Sequence, residues 1–105
     1  MNSMERIIES MKKLTNFNSS SRVIDIGCGQ GKPNFHFAIA VNPILNVGIE
    51  LVPMRWFQAT TNLTKLCDRA LEAKIPYPNC YLELGNIRDC TVLDPFTHIY
   101  MFSTG

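Results

Sequence analysis

A glycine-rich run directly behind a short apolar segment constrains the fold more than any other feature of this chain. The run is Asp25-Ile26-Gly27-Cys28-Gly29-Gln30-Gly31, and it follows the apolar pair Val23-Ile24. Glycine is favoured where the backbone takes unusual dihedral angles or comes close to a ligand. We therefore predict a buried strand that reaches Asp25, followed by a tight turn into a helix.

An acidic residue at the end of the next apolar segment gives this turn a chemical partner. Nineteen residues after Gly31, the segment Asn46-Val47-Gly48-Ile49 ends in Glu50. A carboxylate at the tip of the second strand, about twenty residues after a glycine turn, suits the hydroxyl groups of a ribose. The two features predict a nucleoside cofactor. A dinucleotide-binding turn would have its third glycine where this chain has Lys32, so the spacing disfavours a nicotinamide-dependent oxidoreductase.

The rest of the chain alternates helices with strands. The pattern predicts helices over residues 3–14, 34–41 and 53–73, and strands over residues 22–26, 46–50, 80–84 and 97–102. Strands separated by helices favour a parallel sheet with right-handed crossovers. Ligands of such sheets bind at the carboxyl ends of the strands, where Asp25, Glu50, Asn86 and Ser103 are expected to lie.

Apolar residues at helical spacing predict the core. In the first helix they are Met4, Ile7, Ile8, Met11 and Leu14, and in the third they include Trp56, Phe57, Leu63, Leu66, Cys67 and Leu71. Residues 16–21 are expected to form a polar turn. His36 and His98 are the histidines of the chain, and both are interpreted as packed or surface residues.

The spacing Asp-x-Gly-x-Gly-x-Gly resembles the first motif of the class I S-adenosylmethionine-dependent methyltransferases. The resemblance implies an α/β, three-layer Rossmann-like fold with a mostly parallel sheet, S-adenosyl-L-methionine as cofactor and methyl transfer as the reaction. It implies that the glycine turn lies under the methionine moiety and that Glu50 binds the ribose. The cofactor-binding residues that it implies are Asp25, Gly27, Cys28, Gly29, Gly31, Glu50, Leu51, Asn86, Ile87 and Ser103.

Two of these positions carry open alternatives. Asn86 stands where many members of the family have an acidic adenine contact, and its amide oxygen can accept a hydrogen bond from the adenine amino group. A turn-forming role for Asn86 is equally compatible with the sequence. Ile87 would pack on the adenine face, with Asp89 as a further acidic contact. Cys28 either borders the cofactor or, as we favour, is simply a small buried residue. No residue is assigned as catalytic.

A narrower resemblance covers residues 7–63, which are similar to the nucleosomal lysine methyltransferases of the "disruptor of telomeric silencing" type. It rests on the helix before the first strand, on Val-Ile-Asp-Ile-Gly-x-Gly-x-Gly, and on Val-Gly-Ile-Glu leading into a long helix. It implies a protein-lysine, histone-directed enzyme. More broadly the methyl acceptor is a protein side chain, an RNA or a small molecule. The alternative is a non-catalytic S-adenosylmethionine-binding fragment or a degenerate partner subunit.

Length and composition limit the remaining possibilities. A chain of 105 residues is one domain, here residues 1–105, with residues 1–21 as a leading helix and linker. Because a complete class I sheet has seven strands, we expect a domain truncated to about four, open to self-association through the fourth. The net charge of +1 gives no electrostatic case for nucleic-acid binding. No apolar run suggests a membrane span, and no C-x-x-C pair suggests a metal, so we expect reduced cysteines and a cytoplasmic or nuclear, intracellular location.

Overall fold

A four-stranded parallel sheet forms the centre of the computed structural model, which describes residues 2–102. The elements are α1 (Ser3–Thr15), β1 (Arg22–Ile26), α2 (Lys32–Ala40), β2 (Leu45–Glu50), α3 (Pro53–Ala73), β3 (Tyr81–Leu84), a 3-10 helix (Ile87–Asp89) and β4 (His98–Met101). The predicted α/β class, the parallel pairing and the order of elements are confirmed. The largest difference in bounds is at α2, which begins at Lys32 because Gly31 serves as its N-cap.

The strand order β3-β2-β1-β4 sets the position of the site. From β1 the chain moves outward through β2 to β3, and then returns to place β4 on the other side of β1. The strand order therefore reverses between β1 and β4, and parallel sheets bind ligands beside such a reversal. The right-handed crossover rule places α2 and α3 on one face of the sheet and the connection from β3 to β4 on the other.

The core lies between β1 and the first two helices. Its buried members are Met4, Ile8, Phe17, Val23 and Phe37. The rings of Phe17 and Phe37 meet edge to face, with centroids 5.4 Å apart. Phe17 lies in the segment that the sequence predicted to be a polar turn. The chain folds back after α1 through Asn16, whose φ of 55° lies in the left-handed region, and so brings Phe17 under the sheet.

Three residues that were predicted to pack in the core are exposed. Leu14 is 83% exposed, Phe57 62% and Leu71 64%. In α3 the buried residues are Ala59 and Ala70, and the half-buried Trp56 reaches the sheet, where its indole N–H donates to the carbonyl oxygen of Leu82. Successive helical residues point about 100° apart, so the immediate neighbours of Trp56 and Ala70 turn outward.

The opposite face of the sheet is more open in the described part of the chain. The strand register places Ile24, Ile26, Val47 and Ile49 together on that face, next to Ile99 and Met101 of β4. The 3-10 helix Ile87–Asp89 is the helical element of the β3–β4 connection. Ile99 and Met101 are 53% and 65% exposed, so this face presents an apolar surface within residues 2–102.

Candidate functional site

The glycine turn has a backbone geometry that only glycine adopts easily. Gly27, Gly29 and Gly31 have φ angles of 75°, 57° and 89°. The amides of Gly27 and Cys28 both donate to the carbonyl oxygen of Ile49, at 2.8 and 3.1 Å. The turn is therefore fixed against the carboxyl end of β2, and side chains at its glycines would strain the backbone.

The space beside the turn is open. A Cβ atom built on Gly27 or Gly29 would meet no heavy atom within 4 Å, whereas one on Gly31 would lie 2.7 Å from the ring of Phe35. Gly31 is thus needed for packing as well as for its backbone angle. Gly27 and Gly29 are needed for the angle alone, and they leave room for a ligand against bare backbone.

Glu50 connects the turn to the helix that follows β2. One carboxylate oxygen accepts the amide N–H of Gly29 at 2.7 Å, and the other accepts the amide N–H of Val52 at 2.9 Å. The residue is 4% exposed. A carboxylate offers about four lone-pair positions, so each oxygen can accept one further hydrogen bond.

Asp25 brings a second carboxyl group to the same edge of the sheet. It is 1% exposed, and its Oδ2 atom has no hydrogen-bond partner in the described residues. Burial, together with a smaller contribution from the nearby charge of Glu50, raises the pKa of Asp25 to about 7. A buried acceptor without a partner is costly, and it calls for a donor from outside the chain.

A cleft of about 380 Å³ opens beside Asp25, at the point between β1 and β4 where the strand order reverses. The predicted residues Asp25, Gly27 and Cys28 line this cleft. Its other lining residues were not predicted: Ser3, Met4, Ile7, Lys32, Pro33, Arg55, Tyr100 and Phe102. Only the fold could show that α1 and the start of α3 reach this edge, since no motif in those segments indicates it.

The predicted adenine contacts stand at the end of β3. The amide N–H of Gly85 donates to the carbonyl oxygen of Glu50 at 2.9 Å, which joins the ends of β2 and β3. The side-chain oxygen of Asn86 accepts the amide N–H of Arg88 at 2.9 Å and caps the 3-10 helix. This is the turn-forming role that the sequence left open. Ile87 is half-buried, Leu51 is 60% exposed, and Ser103 lies outside the described residues.

Cys28 is buried, as predicted, and it packs against the backbone of Gly48. Burial, with the nearby carboxylates, raises the pKa of its thiol to about 12, so the thiol stays neutral. The cysteines are unpaired. His98 is a packed residue, as expected: its Nε2 atom lies 2.9 Å from the carbonyl oxygen of Thr15. Among residues 2–102 no cluster of histidine, cysteine or acidic side chains could hold a metal ion.

A buried asparagine network behind the glycine turn was missed by the sequence reasoning. The Asn34 side-chain amide donates to Asn46 Oδ1 at 2.8 Å, and the Asn46 amide donates to the carbonyl oxygens of Asn34 and Asn79 at 2.8 and 3.1 Å. The network joins α2 to β2 and to the start of β3. An asparagine in the middle of the apolar segment 45–49 was the available signal, because such a residue needs partners.

Within the described part of the chain, no helix combines the length and the apolar character that crossing a membrane requires.

Comparison with known proteins gives a structural match without a sequence match. No protein-family model matches the chain, and no curated protein does. An RNA methyltransferase from Salinibacter ruber, solved with S-adenosyl-L-homocysteine, superposes with a TM-score of 0.68 at 19% identity, over 96% of this chain and 60% of that one. An amino pentose methyltransferase from Micromonospora echinaspora, solved with bound SAM, gives 0.67 at 20% identity, over 96% and 35%.

A SAM-dependent methyltransferase from Thiobacillus denitrificans, in complex with S-adenosyl-L-homocysteine, gives a TM-score of 0.65 at 16% identity, over 93% of this chain and 34% of that one. The chain thus spans 60% of the Salinibacter enzyme and about a third of the other two. These neighbours lend no support to the histone-directed resemblance. Residues 2–102 have the Rossmann-like fold of the class I S-adenosylmethionine-dependent methyltransferases, in the form of a four-stranded part of it.

Proposed function

We propose that this chain binds S-adenosyl-L-methionine and forms the cofactor-binding part of a methyltransferase. The observation that carries the proposal is the position of two buried carboxyl groups, Asp25 and Glu50, on either side of a glycine turn with open space beside it. Each of these features fits a different part of the cofactor. The neighbours' bound ligands support the same cofactor, since they were solved with SAM or S-adenosyl-L-homocysteine.

The methionine end of the cofactor fits the cleft beside Asp25. Its ammonium group is a donor that would supply the missing partner of Asp25 Oδ2. Its carboxylate would find positive charge in Lys32 and Arg55, both at the cleft. The bare backbone at Gly27 would allow close approach.

The nucleoside end fits the neighbouring strand ends. Glu50 retains acceptor positions for the ribose hydroxyls after it has bonded to Gly29 and Val52. Leu51 and Ile87 would supply apolar contacts to the adenine ring. The side-chain oxygen of Asn86 accepts the amide N–H of Arg88, so the side-chain NH₂ group of Asn86 is the donor that remains for the adenine base.

Bound S-adenosylmethionine would supply an electrophilic methyl group, and the chain's own contribution would be to hold and orient it. The methyl group would lie in the cleft between β1 and β4. Asp25 at the end of β1 and Phe102 after β4 both line this cleft, so a methyl donor held there would point toward the end of β4. Orientation of this kind accounts for much of the rate of a group transfer. The compared structures do not support a protein-lysine acceptor, so we leave the methyl acceptor open.

The test is a ligand competition followed by a turnover assay. Displacement of a fluorescent S-adenosylhomocysteine analogue by S-adenosylhomocysteine, and not by NAD, supports the proposal. Displacement by NAD with equal strength would favour an oxidoreductase instead. Binding without transfer of a labelled methyl group to RNA, peptide or small-molecule acceptors would identify the second candidate, a cofactor-binding subunit without its own activity.

A further inference from the structure

A second concave surface lies on the outer side of the helices, away from Asp25. It is a groove of about 420 Å³ between α2 and α3, and we call it the α2–α3 groove. It is lined by Gln30, Lys32, Phe35, Asn62, Lys65, Leu66 and Arg69. Nothing in the proposed cofactor site uses it, except that Lys32 lines both surfaces.

The charge of this groove is of one sign. Lys32, Lys65 and Arg69 line it, and no carboxylate does. Lys65 and Arg69 stand one helical turn apart on α3 and are exposed, and Lys32 faces them from α2. Asp68 and Glu72 are near in sequence, but the one ion pair of the described residues joins Glu9 to Lys12. The groove is therefore locally positive on a chain whose net charge is only +1.

Aromatic surface accompanies the positive charge. Leu66 and Arg69 also line a second cavity of about 520 Å³, which continues along the same two helices to Tyr77. Phe35 is half-buried in the part of this surface next to the glycine turn, and Tyr77 is 61% exposed in the part next to the loop before β3. The surface thus runs from Gln30 in the glycine turn to the loop before β3. The cations and Phe35 lie in the half next to the glycine turn, and Tyr77 lies in the other half.

We propose that the α2–α3 groove, together with the adjoining cavity that reaches Tyr77, binds single-stranded nucleic acid. Cations that follow a backbone, with aromatic side chains on which bases can stack, are the features of sequence-tolerant single-strand sites. Lys32, Lys65 and Arg69 would contact phosphates. Phe35 and Tyr77 would contact bases, and the side-chain amides of Gln30 and Asn62 would accept or donate hydrogen bonds. An acidic protein segment would use the cations and would leave the rings unexplained. The proposal is separate from cofactor binding, and either can fail without the other.

The first experiment measures the binding of a fluorescein-labelled oligouridine of about twelve nucleotides, a length within the range that single-strand sites cover. Fluorescence anisotropy is recorded with the full chain, without cofactor, between about 50 and 200 mM salt. With three phosphate contacts, the logarithm of the affinity should fall with the logarithm of the salt concentration at a slope of about −2. The double variant Lys65→Gln/Arg69→Gln should bind roughly tenfold or more weakly, with a slope nearer −1.

The matched control removes the same charge elsewhere. Arg6→Gln/Lys13→Gln takes two exposed positive charges from α1, outside the groove and without breaking the Glu9–Lys12 pair. It should bind as the unmodified chain does. Equal weakening of both double variants would mean that net charge alone governs binding, and this would overturn the proposal. Circular dichroism and melting curves of both variants should match those of the parent, since all four residues are exposed.

The second experiment tests the rings and the class of ligand. Tyr77→Leu should weaken oligouridine binding roughly fivefold or more through lost stacking. Tyr81→Leu, which removes an equally exposed tyrosine (60%) from β3, should leave it unchanged. An oligoglutamate of matched charge should compete poorly. Competition as strong as that of the unlabelled oligouridine would indicate an acidic protein partner and would contradict the proposal.

Discussion

Glu50 Oε1 lies 2.7 Å from the amide nitrogen of Gly29, and this hydrogen bond joins the middle of the glycine turn to the end of β2. The other oxygen of Glu50 accepts the N–H of Val52, just before α3. One buried carboxylate therefore positions the turn, the strand end and the helix start together. The sequence spacing predicted a ligand contact at Glu50. The structure adds a structural role for the same side chain.

This double role predicts that Glu50→Gln destabilises the fold. A glutamine side chain has one acceptor oxygen, so its NH₂ group would face one of the two backbone N–H donors. The expected loss is about 1–3 kcal/mol in the free energy of unfolding, the usual cost of a buried donor left without a partner. Urea denaturation checks it. Glu83→Gln, at an exposed position on β3, is the control and should change the stability by less than about 0.5 kcal/mol.

The raised pKa of Asp25 predicts that the stability of the fold depends on pH. Its pKa is about 7 in the folded chain against an ordinary value of 3.8, so between these values the folded state holds a proton that the unfolded state releases. Stability should therefore fall as the pH rises from about 4 to 7, by at most roughly 4 kcal/mol, and then level off. Cys28, with a pKa of about 12, and Tyr100, whose pKa is raised by burial, do not titrate in this window.

The measurement is a series of melting curves from pH 4.5 to 8, with Asp25→Asn as the comparison. The variant has no proton to lose, so its stability should decline less across the window than that of the parent. Parallel declines in the two proteins would show that another group is responsible and would remove the argument that Asp25 is buried and titrates near neutrality.

Gly48 is predicted to tolerate no side chain. A Cβ atom there would lie 2.5 Å from Asn34 Oδ1 and 2.8 Å from the Cβ of Cys28. Gly48→Ala should thus destabilise the chain by about 1–3 kcal/mol through overpacking. Gly85→Ala is the matched test, because its Cβ would meet only Ile49 Cδ1 at an ordinary 3.6 Å. Chemical denaturation that ranks the two variants equally would contradict this account of the packing behind the turn.

The buried network of Asn34, Asn46 and Asn79 should contribute strongly to the stability of the fold. Asn46→Ala removes one accepted and two donated hydrogen bonds from a fully buried site, and it leaves Asn34 Nδ2 without its partner. The expected loss is about 2–4 kcal/mol, since several buried polar groups lose partners at once. Asn62→Ala, whose side chain makes only a 3.4 Å contact to the carbonyl oxygen of Gln30, should cost far less in the same denaturation experiment.

The sequence predicted the elements well because strands, turns and helices have local signals. The glycine spacing, Pro53 at the start of α3 and the apolar periods of β1 and β2 all lie within a few residues of the features they predict. Which apolar residues reach the core depends on helix rotation against the sheet, and here local signals failed. Phe57 and Leu71 each follow a residue that is more buried, Trp56 and Ala70, and Phe17 depends on a left-handed residue, Asn16.

Local sequence motifs likewise predicted only part of the candidate site. Asp25, Gly27 and Cys28 come from one short motif, and all three line the cleft. Lys32, Arg55 and Tyr100 come from three elements that meet only after the strand order reverses. No spacing in the sequence records that meeting. The role of Asn86 as a cap follows from its hydrogen bond to Arg88, which the sequence allowed as one of two readings.

The most direct test of the central claim is calorimetric titration of the full chain with S-adenosylhomocysteine, beside NAD and beside the Glu50→Gln variant. We predict saturable binding of S-adenosylhomocysteine, no heat with NAD, and roughly tenfold or greater weakening in Glu50→Gln, since hydrogen bonds from ribose hydroxyls to a charged acceptor are lost. The Glu83→Gln variant should bind as the parent does. No binding by a parent chain that circular dichroism shows to be folded, or equal affinity in Glu50→Gln, would contradict the assignment of this edge of the sheet as a cofactor site.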